Sequence, residues 1–384
     1  MRHWILLLAL PAGCVVRGPA APAPLVFPFA VDTQRVERVA PGAVHRFVYS
    51  NTGPWAIQVL EVNRDFCYSA VAVKGFPGAA GRKRTSALLA ELDSTGSVVG
   101  GVNADFFTPN GTPTNAHVTR GRVVAGPSNR PVLAFDSTGA PHLVRMTAVD
   151  SSEAGATTVI GWNRPLANGT GFFDANWGLR TDTASNVVEF VFDADRDRPE
   201  MLEFVRLDTV TAGVYIPRDG LVSIVTQRDF VVIDPRARGD FIDDRPRPSL
   251  RLRPFHPMEA VGGRPILARD SVIVPDVDTE GAAGFAAARH PRTAVGIAGN
   301  GTRLLLVTVD GRQQPYSDGM TLRELATLML ALGARDAINL DGGGSTTMVV
   351  KHPDSQSLTV VNKPSDASGE RAVGNALAIV KGCV

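Results

Sequence analysis

The chain is poor in cysteine and histidine and carries almost no net charge, and each shortage removes a class of function. Three cysteines (Cys14, Cys67, Cys383) and seven scattered histidines give no CxxC pair and no metal-ligand spacing, so nothing in the sequence points to structural zinc. Lysine and arginine number 39 against 38 aspartate and glutamate, and a net charge of +1 leaves no electrostatic footprint for nucleic acid. Internal repeats and heptads are missing too. What the chain has in excess is punctuation. Its 38 glycines and 27 prolines break up many short Val/Ile/Leu runs, the pattern of a strand-rich fold with numerous turns.

The N-terminus is the exception. MRHWILLLALPAGC has a basic start, an apolar run from Trp4 to Leu10 and small residues before Cys14, which is signal-peptide architecture and too short to span a bilayer as a mature helix. PAGC is similar to a bacterial lipobox, in which Cys14 would be lipidated, although Pro11 stands where leucine is preferred; the rival is ordinary cleavage near Ala21 or Ala23. The expected layout is a signal peptide over 1–13, a tether over 14–34 and one domain over 35–384 with a β-rich inserted segment at 145–255. The chain is expected to be exported to the cell envelope, with membrane contact through the lipid anchor alone. If Cys14 carries lipid, Cys67 and Cys383 remain, and they are compatible with one disulfide or with two unpaired thiols.

Strand-like runs AVHRFVY, WAIQVLEV and SAVAVKG fill residues 43–74, SALLAELDSTG (86–96) reads as a helix, and VVGGVNADFF (98–107) as a strand entering a loop. Short strands follow through 145–255, among them LVSIVTQ and FVVID. Three N-G-T sequences, at Asn110, Asn168 and Asn300, match the glycosylation acceptor but read first as turns. The arginine-rich RPRPSLRLRP (245–254) reads as a solvated face.

The last third carries the chemistry. TAVGIA and RLLLVTVD flank the turn GNGT, and a hairpin centred there sets residue 309 opposite Arg292. In GMTLRELATLMLALGAR, Thr321 and Glu324 form a capping box, apolar residues follow at helical spacing, and Gly333 ends the helix. This helix stands between LLLVTVD and AINLD, so the segment reads as a βαβ crossover between parallel strands. The fold class expected is mixed α/β (α+β). Such a crossover brings Asp310, Asp341 and Arg292 to one sheet edge, where ligands of these sheets bind.

After Asp341 comes GGGSTT. Three glycines could cradle an anion with their N–H groups or merely allow a tight hairpin. With Arg292 and Asp310 aimed at the same edge, the cradle, Gly342, Gly343, Gly344 and Ser345, is the stronger reading. A nucleophile elbow is excluded because Thr347 stands where glycine is required, and a Walker cradle because no lysine follows the glycines.

The segments APGAVHR (40–46), GVNADFF (101–107), AVGGRPIL (260–267), HPRTAVG (290–296), VDGR (309–312), LRELATLMLALGARDAINLDGGGSTTM (322–348) and GERAVGNAL (369–377) together resemble the phosphodiester glycosidase family, in that order. They span most of the chain after residue 35. GVNADFF departs from the family in Ala104 and Asp105, and Asn115 stands where glycine is expected, which bears on sugar specificity. The resemblance implies hydrolysis of the anomeric C–O bond of a sugar 1-phosphodiester, of the N-acetylglucosamine type, with no cofactor and a glycan or sugar phosphate as partner. It makes Asp341 and Asp310 the candidate catalytic carboxylates, their roles unassigned. Arg292, Arg371 and the amides of residues 342–345 would stabilise the departing phosphate, and Asn103, Asp105 and Asn375 would bind substrate. Two other readings stay open: a metal-dependent phosphodiesterase built on Asp105, Asp310 and Asp341, and a non-catalytic envelope module that binds phosphorylated glycans.

Overall fold

The computed structural model describes residues 24–151, 158–164, 171–181, 187–192, 199–204, 221–226, 249–279 and 284–383. The signal-peptide and lipidation expectations at 1–23, the Asn168 turn and the FVVID strand lie outside them.

The fold is mostly β. Among the described residues two α-helices, α1 (Thr85–Leu92) and α2 (Leu322–Ala331), accompany four sheets of five to eight strands and one two-stranded sheet. The heart of the molecule is an eight-stranded sheet whose central members are, in spatial order, Trp55–Asn63, Arg303–Val309, Arg292–Ala298, Ala334–Asn339 and Ile266–Arg269. Strand Arg303–Val309 shows why its sequence is a continuous apolar run. Leu304 and Leu306 enter the core shared with the neighbouring five-stranded sheet, while Leu305, Val307 and Val309 enter the core under α2. A strand buried on both faces needs apolar residues at every position.

The five-stranded sheet, with Val98–Asn103, Ala376–Lys381 and Met348–Lys351 at its centre, takes α1 on its far side through Leu88 and Leu89. The order of layers is therefore α2, large sheet, small sheet, α1. Helix α2 begins at the expected capping box, with Thr321 Oγ1 accepting from the Glu324 N–H at 3.1 Å and Glu324 accepting from the Thr321 N–H at 2.9 Å. It ends before Gly333, whose φ of 92° favours glycine. Residues 147–253 supply the strands of a seven-stranded sheet, which shares a third core with the sheet containing Pro131–Phe135.

The hairpin register is the expected one: Arg292 pairs with Val309, and Asn300 takes the left-handed turn with φ 54°. The crossover is not. Strand Arg292–Ala298 pairs antiparallel with both Arg303–Val309 and Ala334–Asn339, so it lies between the two strands that α2 connects. Those strands run parallel but are not neighbours, and their ends are about 9–10 Å apart, two strand spacings. The βαβ expectation, and with it the mixed α/β class, is corrected to a mostly β fold. The physical cause is that the hairpin's first strand has two usable edges and fills both.

Cys67 and Cys383 are bonded, with a sequence separation of 316 residues. The link ties the start of Tyr68–Val73 to the end of Ala376–Lys381, its pairing partner. Closing so long a loop restrains the unfolded chain strongly, so Cys67→Ser and Cys383→Ser are each expected to lower stability by about 2–5 kcal/mol in urea titrations, and the double variant by no more than either single one.

Candidate active site

The ends of both large sheets meet at Asp341. Its backbone N–H donates to the Ala104 carbonyl at 2.8 Å, and its carbonyl accepts from Asn103 Nδ2 at 2.7 Å. Asn103 closes the strand Val98–Asn103 and is fully buried. Its Oδ1 accepts from Thr293 Oγ1 at 2.8 Å and from the Thr347 N–H at 3.0 Å. The expectation that Asn103 contacts substrate is therefore corrected: the amide is occupied in bracing Asp341 and the chain that follows it. Asn375 is likewise fully buried and engaged. Its Oδ1 accepts from the Asp105 N–H at 2.9 Å and its Nδ2 meets His117 Nδ1 at 3.1 Å.

The three candidate acids differ in access. Asp310 is 1% exposed, and its carboxylate accepts from Asn362 Nδ2 at 2.9 Å, from the Lys363 N–H at 3.0 Å and from the Tyr316 hydroxyl at 3.2 Å. Burial pushes it up to about 6, and those donors pull it back. A carboxylate so enclosed holds segments 316–317 and 362–363 in place; it is not placed to meet substrate. Asp105 is 2% exposed and accepts from the Asn115 N–H at 2.7 Å. Burial pushes it up to about 7, and the nearby charge of Asp341 adds to the rise. Asp341 is closely surrounded yet retains an open side. Burial pushes it up to about 6, while the Ser345 hydroxyl, Arg371, the Gly342 amide and Arg264 draw it down. Ser345 Oγ lies beside this carboxylate without a well-aligned hydrogen bond, and the buried hydroxyls of Thr346 and Thr347 also find no protein partner. Among the described residues no three acidic, histidine or cysteine groups gather as a metal site, so the Asp105–Asp310–Asp341 metal centre does not form.

The glycines serve a different purpose from the one expected. Gly343 N–H donates to the Pro291 carbonyl at 2.9 Å and Ser345 N–H to the Gly342 carbonyl at 3.2 Å, so two of the four amides expected to cradle an anion are spent in and around a 3-10 turn. What forbids side chains here is crowding. A Cβ on Gly342 would stand 2.6 Å from the Pro291 carbonyl oxygen, and one on Gly344 would stand within the Asp366–Arg371 ion pair. Gly343 has φ 61° and Arg312 Nη1 3.3 Å from its Cβ position. The stretch is bare because charged neighbours come up to its backbone.

Arg292 is also corrected. It is 1% exposed, its Nε donates to the Met320 carbonyl at 2.8 Å, and its Nη2 donates to those of Phe285 at 2.8 Å and Ala288 at 2.9 Å. The guanidinium lies 5.0 Å from the centre of the Phe285 ring. Burial and Arg312 lower its pKa to about 10, so it stays charged and acts through its field. Arg371 reaches the site, held by two hydrogen bonds to Asp366 at 2.7 and 2.9 Å.

Sequence reasoning passed over Arg264, Arg312, His290, Phe106 and Phe285. Arg312 is exposed, and its Nη2 meets His290 Nδ1 at 3.2 Å. Arg264 lies over the Phe106 ring at 5.2 Å, and Phe106 packs edge-on to Phe285 at 6.1 Å. Both arginines sit inside motifs already singled out, VDGR and AVGGRPIL, but only the assembled sheet edge shows that they flank Asp341.

The phosphodiester glycosidase family matches residues 188–380, half of the chain. The SPbeta prophage-derived uncharacterized protein YomE of Bacillus subtilis (strain 168) is 40% identical over 91 residues, which is 24% of this chain and 13% of that protein. A hypothetical protein from Synechocystis superimposes with a TM-score of 0.71 at 19% identity, covering 91% of this chain and 64% of its own, and so shares the fold. A protein of Burkholderia pseudomallei K96243 assigned to export has a TM-score of 0.63 at 26% identity, covering 85% and 74%. This chain thus spans a small part of YomE and under two thirds of the Synechocystis protein. Half of its length matches one family, and that half contains the strand ends of the eight-stranded sheet and the glycine turn around Asp341, while Asn103 and Asp105 lie outside it. The chain belongs to the phosphodiester glycosidase family, a class of glycosidase-type hydrolases.

Proposed function

We propose that the protein is an exported hydrolase that cleaves the anomeric C–O bond of a sugar 1-phosphodiester of the N-acetylglucosamine type. The products are free sugar and a phosphate monoester. The observation that carries this reading is the open side of Asp341, flanked by arginines, while Asp105 and Asp310 are sealed. As the C–O bond breaks, the ring gains positive character and the phosphate gains negative charge. Asp341 supplies the electron pair for the anomeric carbon, directly or through a water. Arg312, exposed beside Gly343, receives the departing phosphate, and buried Arg292 adds its field from behind. A phosphate leaves readily without protonation, which fits a site whose other half-buried carboxylate, Asp366 beside Gly344, is held by Arg371.

The test is product identity. The purified protein is incubated in ¹⁸O-water with GlcNAc-1-phospho-methylmannoside and with UDP-GlcNAc, and products are resolved by phosphorus and proton NMR. The proposal expects the label on the sugar and an unlabelled phosphate monoester. Label in the phosphate, or release of GlcNAc 1-phosphate, would mean P–O cleavage and sink it. Saturable binding without turnover would mean a binding module instead.

A further inference from the structure

The edge that presents Asp341 is cationic on both sides. Across the large sheet, four successive strands end there in a fixed order: Arg303–Val309 leading to Arg312, then Arg292, then Asp341, then Arg264 before Ile266–Arg269. Arg264 is pinned at that place by its backbone. Its N–H donates to the Asn339 carbonyl at 2.8 Å and its carbonyl accepts from Asn339 Nδ2 at 2.7 Å. The outer members of the row are three strand spacings apart, about 14 Å, with the carboxylate between them.

Arg371, Arg289 and Arg323 are neutralised by Asp366, Glu324 and Asp278, while Arg164 and the buried Arg292 spend their donors on backbone carbonyls. Arg312 and Arg264 make no ion pair within 4 Å among the described residues, and Arg264 acts on the Asp341 carboxylate only through its field. Arg264 rests on the face of Phe106, and its buried Nε finds no hydrogen-bond acceptor. A departing phosphodiester needs one such cation. Arg312 lies against the glycine turn and serves that purpose, which leaves Arg264, on the opposite side of Asp341, in excess of what the reaction requires. The planar fork of guanidinium N–H donors at its outer end matches a phosphate group.

We propose that Arg264 reads a second phosphate, carried by the sugar whose anomeric carbon faces Asp341, so that the favoured substrate is one unit of a sugar–phosphate chain with phosphate on both sides of the ring. This rests on the glycosidase reading above and specifies the substrate class of the same site.

Two substrates separate the possibilities: GlcNAc-1-phospho-methylmannoside, and the same compound bearing a 6-phosphate on the GlcNAc. The purified protein is expected to favour the second by about tenfold or more in kcat/KM, mainly through KM, since a charged hydrogen-bonded contact is worth about that much. The preference should shrink as salt is raised. Arg264→Gln should bring the ratio of the two kcat/KM values close to one, and Arg264→Lys should restore part of it. Arg312→Gln should slow both substrates and leave the ratio standing. Equal use of the two substrates by the unaltered protein overturns the proposal, as does a ratio that survives Arg264→Gln. If neither compound is cleaved at the C–O bond, the glycosidase reading fails by itself, and calorimetry with GlcNAc 1-phosphate and GlcNAc 1,6-bisphosphate answers the remaining question. Tighter binding of the bisphosphate, lost in Arg264→Gln, upholds the second phosphate site; equal binding overturns it.

Discussion

Asp341→Asn is expected to lower kcat/KM for a GlcNAc-1-phosphodiester by about 10²–10⁴-fold while raising the unfolding midpoint. The loss follows from removing the carboxylate that the anomeric carbon meets. The gain follows from linkage. Asp341 has a folded pKa of about 6, above its ordinary value of 3.8, because burial disfavours the charged form. The folded state therefore holds this proton more tightly than the unfolded chain does. The group's contribution to stability is fully present below pH 3.8 and is lost as pH rises through about 6, so at neutral pH the ionised carboxylate costs stability. Asparagine removes that cost, on the order of 1–3 kcal/mol. The same titration shapes the rate: kcat/KM of the unaltered enzyme should climb as pH rises through about 6 and level off above it. A variant that is folded, more heat-stable and inactive is the outcome sought. Retained turnover in Asp341→Asn would remove this residue from the chemistry.

Asn103→Ala should produce the largest structural loss at the site. One fully buried amide serves the Thr293 hydroxyl on the strand Arg292–Ala298 and, at the two ends of the glycine turn, the Asp341 carbonyl and the Thr347 N–H. Alanine leaves all three buried groups without this partner, and each stranded group costs about 1–3 kcal/mol. A fall of about 3–5 kcal/mol in urea titrations is expected, with activity lost even under conditions where the variant remains folded, because the turn after Asp341 loses its anchor. Asn103→Asp keeps the acceptor but loses the donor to the Asp341 carbonyl, and is expected to fall between the two. A loss under about 1 kcal/mol for the alanine variant would show that Asn103 does not brace the site.

Asp310 and Asp341, the two carboxylates that the sequence pattern pairs, are not the electrostatic pair. It is Asp105 whose charge is coupled to Asp341, because Ala104 and Asp341 are joined by a backbone hydrogen bond between the two sheets. Asp105 is sealed beside Asp341 at 2% exposure. The neighbouring Gly262 explains part of its enclosure, since a Cβ there would lie 2.6 Å from Asp105 Oδ2.

Several features of the site are legible in the residues themselves. The register of the hairpin ending at Asp310, the capping box at Thr321, the helix stop at Gly333 and the edge on which Asp341 emerges all follow from residues close together in the chain. Turn geometry and hydrogen bonds over three or four residues determine them, and the interactions that encode them are local. The family, too, is written in short ordered segments. The strand order is not, since a hairpin strand of equal quality on both edges can pair on either side or both, and the choice depends on how α2 and the second sheet pack. Access is not legible either. Asp310 and Arg292 have the residue types and positions of site groups, yet carbonyls and amides from 285–288, 320 and 362–363 close over them. Which carboxylate keeps an open side is decided by segments far apart in sequence, because burial is a property of the packed whole. The sequence alone determined which groups reach the edge, and only tertiary packing decided which of them a substrate can touch.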